Sequence, residues 1–203
     1  MEFKESQTKI NLARSFSAEC QAGARYQFMS KMALQNQMQY ISDTLKTLAK
    51  NEMAHAKAFY DLIIENCNGN CDNIAIEAGY PFDDPNLETS LLKEADIEIY
   101  EATNIYPAFA KIAYDEGFSE IGKLFELVAN VEEHHHYILN YLGKLYTKNS
   151  LYKRPNLTKW KCSNCGYTET KKECWKTCPL CKLPDGYAVI NLDKIEDKDT
   201  DLE

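Results

Sequence analysis

The 203-residue sequence has little of what several protein classes require. Its apolar runs all fall short of the roughly 20 residues that a membrane-spanning helix needs. With 23 lysines and arginines against 31 aspartates and glutamates, the net charge is −8, and no basic surplus is available to bind nucleic acid. The N-terminal stretch MEFKESQTKINLARSF contains no apolar signal core. We therefore expect a cytoplasmic protein without a membrane or nucleic-acid partner.

Glycine and proline are also scarce, at eight and six residues. Within residues 5–147 they concentrate in segment 66–87, NCNGNCDNIAIEAGYPFDDPNL, which therefore cannot form one continuous helix. On both sides of this segment the sequence has helical periodicity, with inward positions recurring at alternating steps of four and three. Four such stripes run over residues 12–26, 45–62, 91–109 and 121–142. The third consists of Leu91, Ala95, Glu98, Ala102, Ile105 and Phe109.

Each stripe carries an acid near its middle, and the second and fourth carry Glu-x-x-His. The inward residues are Glu19, Glu52 with His55, Glu98, and Glu132 with His135. In the stretch VEEHHHYIL the neighbouring Glu133, His134 and His136 fall off the apolar face. Four unpaired carboxylates in one core are very costly, and no lysine or arginine shares the stripe positions, so cations must compensate. Glu101, one turn beyond Glu98, is either a solvated edge residue or an additional ligand.

The spacing of the acids predicts two related helical hairpins. Glu19 and Glu52 lie level if a turn centres at 35–36, and Glu98 and Glu132 lie level if a turn centres at 115, beside Gly117. Segment 66–87 is long enough to cross the bundle between the hairpins. We therefore predict an all-α ferritin-like four-helix bundle with one long crossover. One Glu from each of two helices and Glu-x-x-His from each of the other two is typical of a di-iron or di-manganese carboxylate site.

Cysteine is unevenly distributed among its eight positions. Two C-x2-C pairs, Cys162 with Cys165 and Cys178 with Cys181, predict a four-thiolate metal site that suits iron or zinc. Cys174 is interpreted as a bystander, and Cys20 lies beside Glu19. Because cytoplasmic thiols are normally reduced, the loop residues Cys67 and Cys71 are interpreted as unpaired thiols, with a metal or redox pair as the alternative.

These patterns divide the chain into four parts. Residues 1–147 form the bundle, 148–159 a linker, 160–191 the small four-cysteine domain, and 192–203 a charged tail that we expect to be disordered.

The whole pattern resembles the rubrerythrin family over about residues 10–190. The resemblance rests on SFSAECQAGARYQF, LAKNEMAHAKAF, EIYEATNIYPAFAKIAYDEGF, VANVEEHHHYIL and rubredoxin-like cysteine knuckles. It implies a di-iron site whose ligands are Glu19, Glu52, His55, Glu98, Glu101, Glu132 and His135. It also implies that Glu52 and Glu132 bridge the irons, that His55 and Glu101 exchange at one iron, and that Tyr26 and Tyr106 hydrogen-bond nearby. The four cysteines would hold a third, mononuclear iron, with zinc as a possible substitute. The extra cysteines and the histidine triplet depart from the usual pattern.

The resemblance implies a peroxidase that reduces hydrogen peroxide to water in defence against oxidative stress. Electrons would come from an NAD(P)H-dependent reductase or rubredoxin and pass through the four-cysteine iron to the pair. Because the linker could span a considerable distance, the receiving pair could belong to another subunit, and we expect a homodimer or larger. Two alternatives stay open: a ferritin-like ferroxidase that handles iron, and a zinc-ribbon interaction module on a metal-stabilised bundle.

Overall fold

The computed structural model describes residues 2–69, 71–82 and 86–192, and its larger part is a four-helix bundle. Five α-helices build it: α1 (Gln7–Gln35), α2 (Gln39–Asn66), α3 (Leu87–Tyr100), α4 (Tyr106–Asp115) and α5 (Ser119–Thr147). A π-helical segment, Glu101–Ile105, joins α3 to α4 without a break, so the two form one rod of the bundle. The predicted fold, two helical hairpins with a long crossover between α2 and α3, is confirmed. Among the described residues, no helix is long and apolar enough to cross a membrane.

The two hairpin turns have the same local structure. Residues 36–38 join α1 to α2 and residues 116–118 join α4 to α5, close to the predicted positions. The middle residue of each turn is left-handed, with φ of 59° at Gln37 and 90° at Gly117. The last residue of each turn donates its backbone N–H back over the turn at 2.8 Å, from Met38 to Ala33 and from Phe118 to Ala113.

Side-chain caps fix where the helices begin. The Ser6 hydroxyl accepts from the N–H of Lys9 at the start of α1, and Asn86 accepts from the N–H groups of Glu88 and Thr89 at the start of α3. Glu116, from the second hairpin turn, also accepts from the first N–H groups of α1 and so ties the hairpins together.

Two apolar clusters fill the bundle, one towards each end. The first contains Leu45, Leu91 and Leu142, and the second contains Phe59 and Phe125. Along each helix the inward acids lie between residues of one cluster and residues of the other. The polar centre of the bundle is therefore closed by apolar layers above and below.

The π-helical segment shifts the inward face of the third rod by one residue. The sequence stripe places Ile105 and Phe109 inward, but the structure buries Tyr106 and Ala110 instead and leaves Ile105 and Phe109 only half-buried. A π turn contains one more residue than an α turn, which explains why the predicted phase holds to Ala102 and fails at Ile105.

The C-terminal part is a small domain around an antiparallel pair, β1 (Lys153–Lys161) and β2 (Thr168–Glu173), followed by a 3-10 turn at Asp185–Tyr187. Trp160 is its buried centre, with the Arg154 guanidinium 5.3 Å from the ring centroid. Strand β1 begins inside segment 148–159, so part of the predicted linker is a strand that pairs with β2. The charged tail from residue 193 lies outside the described residues.

Candidate metal centres

Six of the predicted ligands meet at the middle of the bundle, from four rods. Glu19 comes from α1, Glu98 from α3, Glu52 with His55 from α2, and Glu132 with His135 from α5. Five of the six are buried, and His55 is partly buried, with 13% of its side chain exposed. One donor atom from each of Glu19, Glu52, His55 and Glu132 lies within 4.8 Å of the others, and the same holds for Glu52, Glu98, Glu132 and His135.

Glu52 and Glu132 belong to both sets and lie between the two imidazoles. Glu52 places Oε2 3.3 Å from His55 Nδ1 and Oε1 2.9 Å from His135 Nδ1. Glu132 places Oε1 3.0 Å from His55 Nδ1 and Oε2 2.8 Å from His135 Nδ1. Each carboxylate therefore offers one oxygen to each half of the site, which is the arrangement that bridging two cations requires.

The other two acids each serve one half. Glu19 lies on the His55 side, with Oε2 3.3 Å from Nδ1, and Glu98 lies on the His135 side. Each accepts a hydrogen bond from a buried tyrosine across the bundle: Tyr106 donates to Glu19, and Tyr26 donates to Glu98. The tyrosines occupy one oxygen of each terminal carboxylate and leave the other free for a cation.

Several of these atoms have no hydrogen-bond partner although they are completely buried. They are Glu52 Oε1, Glu98 Oε2, both Glu132 oxygens and His135 Nδ1. The contacts of His135 Nδ1 with Glu52 and Glu132 are short, but they lack hydrogen-bond geometry. Lone pairs that crowd together in this way are costly unless cations lie among them, so the residues fit a dinuclear metal site.

The electrostatics of the site reflect the crowding of acids. Burial, with repulsion from Glu132, raises the pKa of Glu19 and Glu98 well above the usual range. Burial alone would lower the pKa of His55, but its contacts with the carboxylates of Glu132, Glu19 and Glu52 raise it to about 12. Burial likewise works against the ionised form of Glu52, but His135 and His55 lower its pKa to about 2. The crowded carboxylates therefore favour a positive charge among them, whether a proton on an imidazole or a metal cation.

Glu101 lies outside both ligand sets. Burial and the charges of Glu132 and Glu52 raise its pKa to about 8, partly opposed by Arg25. It is thus near the other acids without joining their donor atoms.

Three polar contacts around the site were not predicted from the sequence. The Asn51 amide lies 3.3 Å from His135 Nε2, Arg25 donates to both oxygens of Glu94 at 2.7 and 2.8 Å, and His136 Nδ1 lies 2.6 Å from the carbonyl oxygen of Ala95. If His135 Nδ1 held a metal, Nε2 would carry the proton, and the Asn51 amide turned with Oδ1 towards it would accept that hydrogen bond. Asn51, Arg25, Glu94 and His136 all lie off the predicted stripes, so the sequence offered no signal for them.

The four predicted cysteines converge in the small domain. The Sγ atoms of Cys162 and Cys181 are 3.7 Å apart, as are those of Cys165 and Cys178. Sulfurs about 2.3 Å from a central ion in a tetrahedron are about 3.8 Å from one another, so the set fits a zinc or iron ion. The knuckles match: Gly166 (φ 75°) and Lys182 (φ 63°) each follow the second cysteine of a pair. The backbone N–H of Leu183 lowers the pKa of Cys181 to about 6, which favours the thiolate that binds metal.

The remaining cysteines divide into a pair and two single thiols. Cys67 and Cys71 form a disulfide, with 5.4 Å between their Cα atoms, so the interpretation as unpaired thiols is wrong. The reason is local: left-handed Asn68 and Gly69 turn the chain back at the end of α2, which a count of cysteines does not show. Cys174 is buried outside the four-cysteine set, as a bystander would be, and Cys20 is a half-buried free thiol.

Comparison with known proteins agrees with this geometry. A family model described as Rubrerythrin matches residues 11–143. Rubrerythrin from Clostridium perfringens is 35% identical over 91% of this chain and 94% of its own length. Rubrerythrin-1 from Clostridium acetobutylicum is 36% identical over 92% and 95%. Among solved structures, a mixed-valence state of nigerythrin superposes with a TM-score of 0.60 at 23% identity, over 91% of this chain and 89% of that one, which supports the fold. The chain belongs to the rubrerythrin family.

Proposed function

We propose that this chain is a non-haem di-iron peroxidase that reduces hydrogen peroxide to water in defence against oxidative stress. Glu19, Glu52, His55, Glu98, Glu132 and His135 would hold the iron pair, and Cys162, Cys165, Cys178 and Cys181 would hold a mononuclear iron. When bound, the pair supplies two-electron reduction of peroxide, and the four-cysteine iron supplies single electrons from an external NAD(P)H-linked donor.

The observation that carries the proposal is the position of Glu52 and Glu132 between two imidazoles. Two bridging carboxylates keep paired cations close enough to act together on the two oxygens of one small substrate. A ferroxidase would also use such a site, but it gives no role to the four-cysteine domain in the same chain.

The other residues around the site hold the carboxylates in position and exclude water. Tyr26 and Tyr106 hold Glu98 and Glu19 in place with hydrogen bonds from opposite sides of the site. The layers around Phe59 and Leu142 close the site above and below. We also propose that Glu101, which lies near Glu132 and Glu52 but outside both ligand sets, exchanges with His55 as a ligand when the charge of the pair changes.

The distribution of charge along the chain supports electron transfer between two copies of it. Residues 148–191 carry nine lysines and arginines against three acids, whereas residues 1–147 carry twelve against twenty-two. Within one chain, the small domain contacts the turn at Gln37, roughly 20 Å of helix rise from Glu52. We therefore propose a homodimer or larger assembly, in which the basic domain of one copy lies against the acidic bundle of another.

Anaerobic stopped-flow absorbance of the fully reduced, iron-loaded protein tests the proposal. The visible ferric–thiolate band of the four-cysteine site is followed after mixing with hydrogen peroxide or with dioxygen. We expect the band to return fast with peroxide and slowly with dioxygen. The reverse order would identify an oxidase. A filled four-cysteine site without any such band would mean zinc, and the relay would be wrong.

A further inference from the structure

The disulfide between Cys67 and Cys71 lies outside both candidate metal centres, and the proposed peroxidase reaction does not use it. Cys67 ends α2 and is 3% exposed, within the same apolar cluster as Phe59 and Ile63. Cys71 begins the second described part of the crossover and is only partly buried. The two sulfurs therefore differ in how easily a solute reaches them.

The end of α2 does not need the disulfide to form. The N–H of Cys67 donates to Ile63, that of Asn68 to Glu65 and that of Gly69 to Ile64, all at 2.9–3.0 Å. These backbone hydrogen bonds, with left-handed Asn68 and Gly69, already return the chain towards Cys67. The thiols would consequently stay close together after reduction, which favours re-formation of the bond.

The ring that the disulfide closes is short, with a sequence separation of four. Stabilisation by a disulfide grows with the length of the closed loop, so this one adds little to the global stability of the bundle. Its effect is local, because the crossover residues 71–82 form neither helix nor strand. They contact the bundle through Cys71, Ile74 and Ile76 in the apolar cluster, and through Tyr80, which donates to the Ser17 hydroxyl at 2.6 Å.

We propose that Cys67 and Cys71 form a reversible dithiol–disulfide couple, oxidised by hydrogen peroxide and reduced by small thiols, which fastens the crossover to the end of α2. Peroxide oxidises the accessible Cys71 thiol to a sulfenic acid and releases one water. The Cys67 thiol attacks that sulfur, the S–S bond forms, and a second water leaves. In the reverse direction one small thiol attacks Cys71 and displaces Cys67, and a second thiol completes the reduction to a dithiol and a small disulfide.

The couple can be measured directly in the full chain with its metals. Trypsin cleavage after Lys57 and Lys93 releases a peptide that contains Cys67 and Cys71 and no other cysteine. We expect this peptide to change from dithiol to disulfide as the protein is equilibrated in buffers of decreasing ratio of reduced to oxidised glutathione. Stoichiometric peroxide should drive it fully to the disulfide. A peptide that stays dithiol after peroxide, or stays disulfide in the native protein under excess dithiothreitol, would overturn the proposal.

Single variants test the order of the steps. In Cys67→Ser the sulfenic acid on Cys71 cannot be resolved, and a dimedone adduct should accumulate there. In Cys71→Ser the buried Cys67 should give little adduct. The opposite pattern would overturn the assignment of Cys71 as the attacked thiol.

Hydrogen exchange tests the fastening. We expect amides of residues 71–82 to exchange severalfold faster after reduction, and Cys71→Ser to exchange at that faster rate with or without thiol. Cys20→Ser, which removes a free thiol elsewhere, should respond to reduction as the parent protein does. Equal exchange in the oxidised and reduced protein would contradict the proposed role. These readouts do not depend on peroxidase activity, so the couple and the proposed function can fail separately.

Discussion

Gly186 lies directly against the backbone of Gln37, and a Cβ at Gly186 would be 1.7 Å from the Gln37 carbonyl oxygen. The small domain thus contacts the first hairpin turn through a glycine whose lack of a side chain is what permits the approach. Because the opposing atom is backbone, it cannot move aside as a flexible side chain could.

The first prediction follows from this contact. Gly186→Ala should lower the free energy of unfolding by about 1–3 kcal/mol, the usual range for overpacking, and should speed amide exchange at Met38. Gly79→Ala, where a Cβ meets nothing within 4 Å, is the matched control and should change stability by less than about 0.5 kcal/mol. If both variants behave alike, the small domain does not pack on this turn.

The second prediction concerns the bridging acid Glu132. Glu132→Ala should reduce the iron content from about three ions per chain to about one, because both halves of the dinuclear site lose a ligand while the four-cysteine site does not. Elemental analysis of the loaded protein measures this. Glu133→Ala, at the exposed neighbouring position, should retain all the iron. Full iron content in Glu132→Ala would exclude a bridging role.

The third prediction concerns Glu101, which lies beside the ligand sets. Glu101→Ala should keep its iron but slow peroxide turnover at least about tenfold, a barrier increase of about 1.4 kcal/mol. Stopped-flow kinetics with peroxide measures the rate, and Glu120→Ala on the exposed side of α5 is the control. Unchanged kinetics would make Glu101 an acid without a part in the reaction.

The fourth prediction concerns Asn51. Replacement by leucine leaves His135 Nε2 without its amide partner and should weaken metal binding about 10–100-fold, as loss of a ligand-orienting residue commonly does. Competition with a metal chelator measures the affinity. Lys50→Leu makes the same apolar residue at the adjacent exposed position and should bind metal normally. Equal affinity in both variants would show that the amide does not orient His135.

The fifth prediction is a pH dependence from Glu116. Slight burial opposes ionisation of Glu116, but hydrogen bonds from the Thr8 hydroxyl and from the N–H groups of Gln7 and Thr8 outweigh it and lower its pKa below 4.5. A lowered folded-state pKa gives stability that is present above pH 4.5 and is lost as pH falls through the lower value. Glu116→Ala should therefore destabilise the protein by about 1 kcal/mol at pH 7, as for a helix cap.

Denaturant unfolding at several pH values measures the Glu116 effect. The difference between the parent protein and Glu116→Ala should shrink as the pH drops below 4. Asp115→Ala removes an adjacent exposed acid that pairs with Lys111 on the same helix, and it should show no comparable difference. A Glu116 effect that is constant with pH would mean that the carboxylate charge does not contribute.

The sequence was sufficient for the fold and for which acids face inward, because both depend on local periodicity and on turn residues such as Gly117. It was insufficient where a contact joins residues that are far apart in the sequence. Asn51 and Glu94 acquire their roles only when His135 and Arg25 arrive from other helices. The disulfide at Cys67 depends on a turn that contains left-handed Asn68, and asparagine adopts that conformation too rarely to be predicted from composition.

The π-helical segment explains a numerical irregularity between the two hairpins. Corresponding residues lie 80 positions apart: Gln37 and Gly117 in the turns, and Tyr26 and Tyr106, which donate to the terminal acid of the opposite hairpin. Only the terminal acids break this offset, since Glu19 and Glu98 are 79 positions apart. The second hairpin has one more residue between Glu98 and Tyr106 than the first has between Glu19 and Tyr26. The π turn accommodates this additional residue.

Duplication of one hairpin, followed by insertion of a single codon in the second copy, would leave this pattern of spacings in a protein. The second hairpin contains Glu101 at the start of the π-helical segment, whereas the first hairpin has Gln21 and Ala22 at the equivalent positions. The single additional residue of the π turn thus makes the two otherwise matching hairpins unequal around the candidate metal site.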